Sequence, residues 1–110
     1  MSTFSAPYIY MAQMDVKKDI EERFNEVYNR EHIPLIEAVP GVMHCYRFRT
    51  YRSNSPEYPR YTALYLLESP EIVTGPEWRQ AADTGSWAPE IRPFTFNKML
   101  TVLEALTVKE

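Results

Sequence analysis

The sequence predicts an α+β domain in which strands and helices follow one another as β-α-β-β-α-β, with four strands in one antiparallel sheet and two helices on one face of it. Three observations predict it. Apolar residues recur at helical spacing over residues 16–31 and at a strand-like period of two in the segments before and after. Two helix starts of small residue, proline and acid, Ser69-Pro70-Glu71 and Gly75-Pro76-Glu77, open a second helical region. The turn-rich stretch from Ser53 to Pro59 separates two strand-like runs by a hairpin's length, so those strands pair antiparallel.

A chain of 110 residues is one domain by length, and its 45% hydrophobic content excludes a disordered or fibrous protein. A net charge of −3 gives no bulk attraction to nucleic acid or anionic lipid. The single cysteine, Cys45, excludes an internal disulfide and any CxxC motif, which fits a reducing compartment. Between Met1 and Asp15 there is neither a basic leader nor an apolar run long enough for a membrane span, so a cytoplasmic location is expected, with no membrane partner.

The first strand is read over Tyr8–Met14, with Tyr8, Tyr10, Ala12 and Met14 on one face and Ile9 and Met11 on the other. Asp15 is expected to cap the first helix, its carboxylate accepting from the free amides of the first turn. That helix runs from Val16 to Glu31, roughly 24 Å, and turns Ile20, Phe24, Val27 and Tyr28 toward the sheet. Pro34 lacks an amide for Arg30 and is expected to end or kink the helix near His32.

Pro40-Gly41 marks a turn into a second strand, Val42–Arg52, placing Val42, His44, Tyr46 and Phe48 on one face and Cys45, Arg47 and Arg49 on the other. The third strand covers Arg60–Glu68 and is apolar on both faces. A short helix, Pro76–Asp83, closes at Gly85; residues 86–92 form an irregular connector carrying Trp87. The last strand falls within residues 93–106, with Phe94, Phe96, Leu100 and Val102 on one side. The order is that of a ferredoxin-like domain. Two helices cover one side of such a sheet, yet three strands are apolar on both sides, so the uncovered side is expected to meet a second copy in a sheet-to-sheet homodimer.

The strand-helix opening, the segment Glu31–Arg49 with its His32, Pro34, Pro40 and Gly41, the Glu68-Ser69-Pro70-Glu71 and Gly75-Pro76-Glu77-Trp78 starts and the closing strand resemble the dimeric α+β barrel superfamily. Within it the chain is similar to the EthD-like and polyketide-cyclase-like small proteins. The resemblance implies a homodimer with a cavity between helices and sheet in each subunit. It implies no single activity, since members include cofactor-free cyclases and monooxygenases acting on aromatic polyketides, isomerases, haem enzymes and proteins of no known activity.

His32 follows Tyr28 by one helical turn and Phe24 by two, on the face that looks toward the sheet. A histidine on a partly apolar wall titrates near neutrality and suits proton transfer beside a carbonyl; a helix-end histidine bonding a freed carbonyl near Pro34 is the structural alternative. His44 is a second candidate if its strand face lines the cavity, and otherwise a core or interface residue. The catalytic candidates are therefore His32, Tyr28 and His44, with Phe24, Tyr10, Tyr46, Tyr65, Trp78 and Trp87 as substrate-binding candidates around an aromatic ligand. The arginines Arg47, Arg49, Arg52 and Arg60 could clamp an anion or guard a sheet edge. The third strand lacks the glycine-aromatic motif of RNA-recognition modules. Two histidines without HExxH or a cysteine pair fit no zinc spacing, whereas haem, needing one axial histidine, stays open. The expectation is a cofactor-independent enzyme performing acid-base chemistry (cyclisation, isomerisation, elimination or oxygenation) on an apolar, aromatic carbonyl compound, or else a non-catalytic dimeric binding protein.

Overall fold

The computed structural model describes residues 6–107, so the expectation about the N-terminal leader falls partly outside the described residues. Four strands, β1 (Tyr8–Val16), β2 (Val42–Arg49), β3 (Tyr61–Leu67) and β4 (Thr95–Glu104), form one antiparallel sheet in the order β2-β3-β1-β4. All helical segments pack on one face. A 3-10 turn at Lys18–Ile20 leads into α1 (Glu21–Val27), a wide π turn at Tyr28–His32 joins it to α2 (Ile33–Glu37), and α3 (Pro76–Asp83) follows a 3-10 turn at Pro70–Thr74. A π turn at Trp87–Ile91 and a 3-10 turn at Arg92–Phe94 lead into β4. This is the predicted ferredoxin-like α+β order.

The core lies between helices and sheet. Ala12 and Met14 of β1 meet Ala63 and Tyr61 of β3 in register, and Tyr65 and Leu67 continue the same face. Phe24, Val27, Ile36 and Ile91 close over them with no exposed surface, each worth about 1.5–3 kcal/mol when taken out of water. The alternating burial of β3 follows from its period of two, with the odd-numbered residues under the helices.

Four local expectations are corrected. Asp15 does not cap the helix: it belongs to β1, and its carboxylate accepts from the Arg60 amide at 2.7 Å and from Asn97 Nδ2 at 2.9 Å. Lys17 stands at the cap without a side-chain bond. Of the two outcomes expected of Pro34, an end or a kink near His32, the helix shows the irregularity and not the end. Tyr28–His32 takes one residue more per turn, so the Ile33 amide bonds back to the Tyr28 carbonyl, and the wider turn accommodates the proline without breaking the helix before Glu37.

β2 stops at Arg49 rather than Arg52, and a register shift between Val42 and His44 separates those two residues, which parity had placed together. In β4, Asn97 and Lys98 together oppose Met14, a one-residue bulge with Asn97 in the left-handed region at φ 52°. The bulge puts Phe96 on the opposite side of the sheet from Leu100, which pairs with Ala12. Gly41, at φ 91°, makes the turn into β2, and its carbonyl accepts from Glu68 at 3.0 Å.

The face away from the helices carries exposed Tyr46, Phe48, Phe96, Met99 and Leu103, with Met11, Leu64 and Leu66 between them. Gln13, on the same face, is buried because its amide donates to Tyr58 Oη at 2.6 Å and Thr62 Oγ1 at 3.2 Å.

Candidate functional site

Between the π turn of the first helix, α3, the Trp87 segment and the helix-side residues of β1, β3 and β4 lies a cavity of about 200 Å³. Its rings come from five places in the chain. Tyr10 and Tyr65 stand side by side because β1 and β3 pair them directly, and Trp78 of α3 meets both edge-on at centroid distances of 5.4 and 5.1 Å. Tyr28 reaches across from the helix, its hydroxyl 2.7 Å from that of Tyr65. His32 lies one turn on from Tyr28 and stacks on Trp87 at 4.6 Å with 27° between the planes.

Trp87 is placed by a latch. The Glu31 carboxylate accepts from the Ser86 amide at 2.9 Å and from its hydroxyl at 3.2 Å, which ties the segment after α3 to the first helix. Gly85 makes the approach possible: it sits at φ 80°, and a Cβ there would stand 2.8 Å from Glu31 Oε1. The bond to the Ser86 amide lowers the Glu31 pKa.

His32 is 6% exposed, and its Nδ1 is shut from solvent with no partner among the described residues. Burial, reinforced by the charges of Arg92 and Arg47, pushes the imidazole pKa down from 6.5 to about 4, so the ring is neutral at pH 7. The sequence-based expectation of titration near neutrality is corrected, because the wall is drier than a helix end suggests and the nearest charges are cationic. Burial raises the Tyr28 and Tyr65 hydroxyls above their ordinary range. Bonded to each other, the two phenols leave one O–H free to donate. Cys45 is pushed up to about 12, first by burial and then by Glu37, so it holds a thiol rather than a nucleophilic thiolate.

Arg47 lies behind Tyr28, its guanidinium 4.3 Å from that ring's centroid and within 5.1 and 5.5 Å of those of Phe24 and Tyr61. It donates to Asn29 Oδ1 at 3.0 Å and Asn25 Oδ1 at 2.9 Å, which braces the helix against β2.

The structure brings together Tyr10, Tyr28, His32, Tyr65, Trp78 and Trp87. Phe24 is fully buried behind them and supports Tyr28 edge-on at 5.7 Å rather than lining the cavity. His44 and Tyr46 are not part of the cluster. Their strand positions face away from the helices, and His44 pairs at 3.2 Å with Glu37 at the sheet's edge. Sequence reasoning missed Arg92, Lys98 and Leu100 in the lining. Nothing in the β4 sequence announced the bulge that sets which of its residues face the helices.

Among the described residues no group of three or more His, Cys, Asp or Glu side chains is placed to hold a metal. Pockets for drug-sized ligands run roughly 300–1,000 Å³, and a haem is no smaller than such a ligand. The cavity of about 200 Å³ does not fit it.

No family model matches the chain, and no curated protein matches it. Solved structures do. The haem degrader MhuD of Mycobacterium tuberculosis, with two haems bound in its active site, superposes at a TM-score of 0.62 and 18% identity, over 94% of this chain and 100% of that one. An EthD-family protein of Bacillus halodurans gives 0.62 at 14% identity over 90% and 99%. SnoaB, a cofactor-independent oxygenase from Streptomyces nogalater, gives 0.62 at 13% identity over 92% and 94%. At such identities the likeness establishes architecture alone: the chain has a ferredoxin-like α+β fold.

Proposed function

We propose that the protein is a cofactor-independent enzyme performing acid-base chemistry on a small aromatic carbonyl compound held in the cavity beside His32. The single observation that carries this reading is the His32 imidazole, neutral and unpartnered at Nδ1, in a wall of aromatic rings. In the reaction, the neutral ring takes a proton from the carbon next to the carbonyl. The free O–H of the Tyr28–Tyr65 pair donates to the carbonyl oxygen as it gains charge, and the imidazolium then returns the proton to carbon or oxygen. A pKa of about 4 makes the resting ring a weak base. An enolate forming beside it raises that value, so basicity grows as the transition state is approached. The fold's likeness to a cofactor-independent oxygenase is consistent with such chemistry.

The test is exchange of α-hydrogens in D₂O for a panel of aryl ketones, followed by NMR, with wild type and His32→Phe. A loss of on the order of 10²-fold or more in the variant supports the assignment. Equal exchange with both proteins rejects it. The low basicity of His32 favours a second reading, a binding protein without turnover; it is supported if an aryl ketone binds saturably but no panel member exchanges faster than in buffer.

We also propose that the apolar sheet face pairs with that of a second copy. Exposed Phe48 at one edge of that face and Phe96 and Met99 at the other, with Met11, Leu64 and Leu66 on the strands between, make it apolar across its width, and such faces are rare on monomers. Light scattering coupled to gel filtration is expected to give twice the chain mass, and half of that after Met99→Glu. A monomeric wild type contradicts the proposal.

A further inference from the structure

The substrate class can be narrowed, and the inference rests on the small-molecule reading of the cavity. We propose that the ligand is an aromatic carbonyl compound that also carries an acid group, the anion being held by Lys98 at the cavity's edge. The β4 bulge decides which side of the sheet Lys98 faces. Without the extra residue at Asn97, Lys98 would share the face of Phe96 and point away from the helices. With Asn97 and Lys98 both opposite Met14, Lys98 takes the helix side and lines the cavity with Leu100. The bulge is held from both sides, since the Asn97 amide donates to Asp15 Oδ2 and to the Glu57 carbonyl, each at 2.9 Å, and an asparagine tolerates the left-handed conformation.

The charges of the lining point the same way. Its cations are Lys98 and Arg92, and it contains no carboxylate. Arg92 is occupied, donating to Asp83 Oδ1 at 2.9 Å and to the Ala82 carbonyl at 3.1 Å. Lys98 has no ion pair among the described residues and has the reach of a flexible four-carbon stem. The His32 ring lines the same cavity, and its Nδ1 has no partner among the described residues, which makes it a second polar point in the lining beside the lysine. Between these two polar points the walls are aromatic. A flat acid with its ring among Tyr10, Trp78 and Trp87 satisfies all three features.

The test compares 2-naphthoate with its uncharged isostere 2-naphthamide, by calorimetric titration of wild type, Lys98→Gln and Lys98→Arg. The expected result is at least tenfold tighter binding of the acid by wild type, loss of that preference in Lys98→Gln with amide affinity unchanged, and its return in Lys98→Arg. Equal affinities for acid and amide in wild type, or a preference that survives Lys98→Gln, overturn the role of Lys98 and leave the cavity reading intact. Saturable binding of neither probe by the folded protein overturns this proposal, while the His32-dependent exchange of aryl ketones decides the cavity reading separately.

Discussion

Protonation of His32 works against the fold, and the size of the effect follows from its surroundings. The ring has a pKa of about 4 in the native protein against 6.5 for an ordinary histidine, because it is buried among aromatic rings and faces Arg92 and Arg47. Between those two values the unfolded chain binds a proton that the native one refuses. Stability is therefore unaffected above pH 6.5, falls as pH drops, and stops falling from this cause below pH 4. Linkage gives a loss of about 2 kcal/mol between pH 7 and pH 5, approaching about 3 kcal/mol at lower pH. In urea denaturation followed by circular dichroism, this is a fall in midpoint on the order of 1–2 M. Other groups contribute to the pH dependence, so the comparison is with His32→Phe, whose ring keeps the stack on Trp87 and cannot take a proton. Wild type is expected to lose about 2 kcal/mol more than the variant over this interval. Parallel pH profiles would refute the reasoning.

Tyr28→Phe leaves the buried Tyr65 hydroxyl without its partner and should destabilise by about 1–3 kcal/mol, whereas Tyr28→Phe with Tyr65→Phe should cost less than the sum of the single changes; additive values in a denaturation cycle contradict the pairing. Gly41→Ala forces a side chain into the left-handed region and against Ile72, so thermal denaturation should report a loss of at least about 1 kcal/mol, and an unchanged midpoint would count against the turn geometry. Glu31→Ala releases Ser86, and the emission of Trp87 is expected to shift to the red in a protein carrying Trp78→Phe; an unshifted spectrum would show that the latch does not place the indole.

How much of this was legible in the sequence depended on whether local pattern or tertiary context decided each feature. β3 was legible as a short apolar run bounded by turn residues, although the sequence, apolar on both faces, did not say which of its residues lie under the helices. The route from Phe24 through Tyr28 to His32 was legible because helical spacing brings those residues to one face even through a π turn. Pro34 announced the irregularity near His32 but not its form, since its cost to a regular helix is real and a widened turn removes it without ending the helix. Parity misled at Val42 and at Phe96, where a bulge adds one residue and reverses every side chain beyond it. The site inherits those errors: His44 and Tyr46 lay beyond the first bulge, and Lys98 was hidden by the second. The basicity of His32 was not legible because it depends on Trp87, which the Glu31–Ser86 latch brings from far along the chain.

Catalysis and binding at this site both require a small molecule to enter between the helices and the sheet and lie against His32. The most direct measurement is NMR of protein labelled in its histidine and tryptophan rings, titrated with aryl ketones and aromatic acids. Saturable shifts at His32 and at the indoles of Trp87 and Trp78, with His44 unmoved, are the expected result. Shifts confined to His44, or none at any concentration, would contradict it.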